Sequence, residues 1–142
     1  MRKPKLTEYG DYAMWVTFEI MSCYQVRLII SKDLNRSAKA RLSTSPTETN
    51  GGGFVFNVKG EGRSYLFLAH DADESTVAHE CWHIVHRIMD WCGAELDNEV
   101  VAYHLDHMVE KVYEFKKAIK SRNKKEASDG KRKRRASTTK SS

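Results

Sequence analysis

Two stretches decide how this chain reads: Thr76-Val-Ala-His79-Glu80-Cys-Trp-His83, and the later Asp97-Asn-Glu99-Val-Val-Ala-Tyr103. Residues four apart in a helix lie one turn apart on the same face. His79 and His83 therefore project together, and two imidazoles so placed can grip one zinc ion. Glu80 lies about 100° round from His79, beside such an ion rather than on it, where a general base is needed. A catalytic zinc takes three protein ligands and keeps one position open for water. Glu99, sixteen residues after His83, completes the set His79, His83 and Glu99. His86, Asp97, His104, Asp106 and His107 compete for the third place. His86 shares a face with His79 but stands about 10.5 Å further along the axis, with no Gly between His83 and His86 to bend the chain. Asp97 is better employed as a helix cap.

Working outward, Thr76 to Cys92 has a helical period. Val77, Cys81, Ile84, Val85 and Ile88 form the stripe that should face a sheet, opposite His79, His83, His86 and Asp90. Asp73 or Ser75 caps its start and Gly93 ends it. Asp97 caps a second helix to about Ile119, with Val101, Leu105, Met108 and Val112 core-like. Glu99 then falls in a first turn, where the helix dipole favours a carboxylate.

Upstream, Tyr24 to Ser31 is a Val- and Ile-rich strand. Ala13 to Ile20 is apolar, a strand or a short helix. Lys32 to Leu42 predicts a short helix on the sheet, its Arg and Lys facing water. Ser43 to Gly53 is loop by composition. Phe54 to Lys59 and Ser64 to Ala69, joined by Gly60-Glu-Gly62, read as a β-hairpin. The expected fold class is α+β, with a short, mainly antiparallel sheet packed by the motif helix and a second long helix. Residues 1–12 read as a loose N-terminus, 13–120 as one metal-binding domain, and 121–142 as a disordered basic tail.

Charge is divided unevenly. Residues 1–115 carry 12 Lys and Arg against 17 Asp and Glu; residues 116–142 carry 12 against 2. A tail of that kind can hold nucleic acid through phosphates without sequence preference. It also suits a nuclear address, or a solvated tail with no partner. No aromatic follows Phe115, so base stacking by the tail is not indicated. Three cysteines make an odd count without framework spacing. No run approaches the ~20 apolar residues of a membrane span, and no signal peptide is evident. The expectation is a soluble, cytoplasmic protein with free thiols and no membrane partner.

The motifs His79-Glu80-x-x-His83 and Asn98-Glu99-x-x-Ala102 resemble those of zincin metallopeptidases of the gluzincin type. They are also similar to the ImmA/IrrE-like peptidases and to small phage-encoded proteins of zincin type. Trp82 inside the motif and His86 after it depart from the ImmA/IrrE pattern. The resemblance implies a minimal zincin-like domain that hydrolyses peptide bonds in a peptide or protein substrate. Zn2+ would sit on His79, His83 and Glu99, with Glu80 activating water. Opposite Glu80 an oxyanion donor is wanted. Tyr103 is the first candidate, followed by His107 and His104; His107 or Asp106 could instead orient a ligand. By the same resemblance, Tyr65 to Ala69 would be the edge strand that pairs with the substrate. Trp82 reads as packing and Cys81 as an inert buried thiol. Two other readings stand beside the peptidase. One is an inactive, zinc-stabilised interaction protein of phage type. The other is a protease tethered to nucleic acid by its tail.

Overall fold

Apolar residues at successive positions of the two central strands point to opposite faces, and helices cover both. The computed structural model describes residues 3–18, 23–43, 52–95 and 97–139. The elements are β1 (Asp11–Thr17), β2 (Gln25–Ser31), α1 (Leu34–Leu42), β3 (Gly53–Asn57), β4 (Arg63–Ala69), α2 (Glu74–Cys92) and α3 (Asn98–Thr139). The fold is α+β. The sheet order is β1-β2-β4-β3, with β2 and β4 parallel and the two outer pairings antiparallel. Val26, Leu28 and Ile30 of β2 and Leu66 and Leu68 of β4 face the core shared with α2 and α3. Ile29 and Phe67, on the other face, pack with Leu34 and Ala38 of α1. Burial on both faces explains the near-continuous apolar runs of these strands.

Ala13 to Ile20 resolves as strand β1 over its described part; Glu19 and Ile20 lie outside the described residues, as does most of the Ser43–Gly53 loop. Phe54 to Ala69 forms the expected hairpin. However, β4 is an interior strand, because its second neighbour is β2. The free edge beside α2 is β3. This corrects the edge assigned to Tyr65–Ala69. The cause is the parallel β2–β4 pairing, which neither strand's own pattern encodes.

Leu6 and Thr7, just before β1, are tied down rather than loose. Leu6 bridges Tyr12, and Thr7 donates to Asp11 twice, from its main-chain N–H to the carbonyl and from its hydroxyl to the carboxylate. Asp11 is fully buried and meets Arg41 of α1 with two hydrogen bonds, Nε to Oδ2 at 2.8 Å and Nη2 to Oδ1 at 2.7 Å. Arg41 therefore turns inward, although its helix was expected to send its basic residues to water.

Asp73 caps α2 by accepting from the Thr76 amide (2.8 Å), and Gly93 closes it in a left-handed conformation at φ 64°. A cap of this kind is worth about 1 kcal/mol. Asp97 Oδ1 accepts from the Glu99 amide at 2.9 Å. On α3 the buried face is His104, Met108, Val112, Phe115 and Ile119, with Val101 and Leu105 packed at its margin. Beyond Ile119 the helix continues to Thr139, where composition predicted disorder. Ala, Glu, Lys and Arg are good helix formers and no Pro interrupts them. Arg122 adds an i,i+4 pair with Glu126 (2.9 Å) and a bond to the Pro4 carbonyl.

Candidate metal centre

Local helix geometry alone brings His79 and His83 together. Their Nε2 atoms are 3.1 Å apart, with the rings nearly perpendicular at 79°. Two nitrogens bound to one tetrahedral zinc at 2.0–2.1 Å would lie about 3.3 Å apart. The pair thus fits two positions of a single zinc ion. As a hydrogen bond, the same contact needs one ring to donate. Both imidazoles are exposed and open to an arriving ion.

Glu80 is placed differently. It is only 9% exposed and turns from the imidazoles toward the start of β3. Gly53 makes this possible: a Cβ there would stand 3.1 Å from Glu80 Cγ, 3.0 Å from Leu68 Cδ2 and 3.2 Å from the Phe67 carbonyl oxygen. Between α2 and the free edge of β3 runs an open groove of about 580 Å³. Gly53 to Val55 and Asn57 line one side; Glu80, His83, His86, Arg87 and Asp90 line the other. Arg87 carries the groove's one Lys or Arg charge. Its Nε is buried without a hydrogen-bond partner among the described residues, while Nη1 lies 3.7 Å from Asp90 and the guanidinium stands over the Trp91 ring. Sequence reasoning missed both Arg87 and Gly53. Arg87 belongs to no motif in the sequence, and Gly53 stands at the end of a stretch that reads as loop by composition.

The structure does not bring Glu99 to the imidazoles. α2 and α3 run antiparallel, because Lys116, well along α3, donates to the Ala72 carbonyl just before α2 (3.0 Å). His83 lies nine residues before the end of α2, and Glu99 is the second residue of α3. Glu99 therefore stands near the level of Cys92, about 13.5 Å along the helix pair from His83 at 1.5 Å per residue. It is exposed, and no group of three or more His, Cys, Asp or Glu side chains converges among the described residues. Tyr103 is 45% exposed and stacks edge-on against His104, away from the groove. His104 is fully buried: Nδ1 bonds the Val100 carbonyl oxygen (2.7 Å) and Nε2 has no partner among the described residues. His107 Nε2 donates to the Thr17 carbonyl (2.9 Å), which ties α3 to the end of β1. Asp106 is exposed on α3.

Cys81 is fully buried, and burial, then the neighbouring Glu80 charge, pushes its thiol up to about 12. It stays a thiol at neutral pH. Trp82, expected to pack, is 43% exposed. Its position on the motif helix turns it away from the core stripe.

Glu99→Ala is expected to keep wild-type zinc content, measured per chain by elemental analysis, whereas His79→Ala removes it. Loss of most of the zinc from Glu99→Ala would show that α3 shifts to reach the ion. No helix among the described residues is long and apolar enough to cross a membrane. No family model, no curated protein and no solved structure matches the chain.

Proposed function

We propose that this protein is a zinc-dependent peptidase that holds Zn2+ on His79 and His83, one protein ligand fewer than a catalytic zinc commonly takes and with water completing the coordination, and hydrolyses an extended peptide laid along β3. One observation carries the reading: the preset imidazole pair adjoins a half-enclosed groove in which a largely buried carboxylate faces an unpaired strand edge. When bound, zinc supplies Lewis-acid polarisation of the scissile carbonyl and makes water acidic enough to be deprotonated near neutral pH. The remaining chemistry falls to the chain. Glu80 accepts the proton from the attacking water on its carboxylate and hands it to the leaving nitrogen. The main chain of β3, from Gly53 to Asn57, pairs with the substrate backbone as an added strand and orients it. Gly53, with no side chain, lets that backbone sit close to Glu80.

The test is zinc per chain together with cleavage of a mixed-sequence peptide library. About one zinc per chain and chelator-reversible cleavage are expected. Stoichiometric zinc without any cleavage would replace this reading with a zinc-stabilised interaction protein. A folded wild type without affinity for zinc would remove the metal from both.

A further inference from the structure

A second cavity lies at the carboxyl ends of β2 and β4, the one parallel pair of the sheet. It measures about 430 Å³ and is separate from the α2–β3 groove. Crevices at the carboxyl ends of parallel strands are where α/β folds commonly take ligands, and the volume falls within the small-molecule range of about 300–1,000 Å³. Ile30 of β2 and Ile119 of α3 provide apolar wall, and Tyr9 and Tyr12 add two rings from the N-terminal segment.

The polar part of the lining is strongly one-signed. Lys32 and Arg36 come from the start of α1, and Lys116 and Lys120 from α3. The one acidic side chain in the lining, Asp33, is committed to capping α1 through the Arg36 amide (3.1 Å). None of the four cations forms an ion pair with a carboxylate among the described residues. Lys116 donates one proton to the Ala72 carbonyl and keeps others. Like charges gathered without counter-charge repel one another, and an anion relieves that repulsion. Two of the four, Lys32 and Arg36, belong to residues 1–115, which carry more acidic than basic residues.

The geometry points to a nucleotide-binding site: Lys32, Arg36 and Lys120 hold a phosphate, and the base lies against Ile30, Ile119 and the tyrosine rings. Four cations exceed what a single carboxylate requires, and they match a phosphate that carries close to two charges at neutral pH. The rings and isoleucines accept a flat, largely apolar base. The nucleotide is either a free molecule or the terminal unit of a nucleic-acid strand, since Lys116 and Lys120 continue directly into the basic part of α3.

The experiment is calorimetric titration of the full chain with adenosine monophosphate, adenosine, inorganic phosphate and a 5′-phosphorylated single-stranded oligonucleotide. Adenosine monophosphate is expected to bind more tightly than adenosine or phosphate alone. The double variant Lys32→Gln/Arg36→Gln should weaken it by about tenfold to a hundredfold, the effect of losing charge-assisted hydrogen bonds. Both side chains are exposed, so the fold should persist, checked by thermal unfolding. Lys131→Gln/Lys133→Gln, far along α3, should leave mononucleotide binding unchanged. Competition between the oligonucleotide and adenosine monophosphate would identify a strand end as an occupant; absence of competition would identify the free nucleotide. Undiminished binding in the double variant would overturn the site. So would binding of the oligonucleotide alone, lost only in the Lys131/Lys133 variant.

Discussion

Glu80→Gln should leave zinc bound and lower peptide hydrolysis by about 10²- to 10⁴-fold, the usual contribution of a positioned general base. Gln has nearly the shape of Glu, so the close packing against Gly53 is preserved. It cannot take a proton from water, so only the proton-transfer role is lost. Glu80 lines the groove, where it is 9% exposed. Zinc content and turnover must be measured on the same preparation. Loss of zinc together with activity would make Glu80 a ligand or a packing residue. Unchanged turnover would move the proton-transfer role to another groove side chain, with His86 first in line.

Arg41→Met should destabilise the fold by about 3–5 kcal/mol, because it strands the buried Asp11 carboxylate without its partner. The side chains of Arg41 and Asp11 are 10% and 0% exposed, and the pair is bidentate. Burial by itself raises the Asp11 carboxyl. The hydrogen bonds from Arg41 and Thr7 and the Arg41 charge outweigh it and hold the group below its ordinary value. A carboxylate whose folded value is depressed contributes stability above its unfolded value of about 3.9, lost as pH falls through the folded value. Wild type should therefore lose this increment below about pH 4. In Arg41→Met only the hydrogen bonds from Thr7 and Ser37 still oppose burial, so the carboxyl rises from its wild-type value and that variant should lose less stability than wild type as pH falls below about 4. Urea unfolding across pH measures both slopes. Equal slopes in the two proteins would mean that the pair is not the source of the effect. The double variant Asp11→Leu/Arg41→Met should recover most of the loss, because a buried ion pair and a matched apolar pair are often close in energy.

Much of the candidate centre was legible because it is local. The spacing of His79 and His83 sets their rings on one face of any helix, and the 3.1 Å approach needs nothing else. The caps Asp73, Gly93 and Asp97 were readable for the same reason, since each acts on residues within a turn of itself. The core stripe of α2 follows from the helical period of Val77, Cys81, Ile84, Val85 and Ile88, all buried. Even the overreach of the disorder reading was local in origin: composition reported the missing apolar anchor after Ile119 but underweighted helix propensity.

What the sequence by itself determined, then, is the type of β2, the hairpin strands, α1 and α2, the inward stripe of α2 and the imidazole pair. Only the tertiary structure decided how those elements stand against one another. The parallel pairing of β2 with β4 buries β4 and exposes β3 as the edge beside the groove. The antiparallel packing of α2 and α3 carries Glu99 to the far end of the helix pair and turns His104 into the core. The pairing of Asp11 with Arg41 joins two residues that each read as solvated. Period and capping are set by interactions within a few residues, whereas strand order, helix register and ion pairing across thirty residues are settled by burial of the whole chain at once.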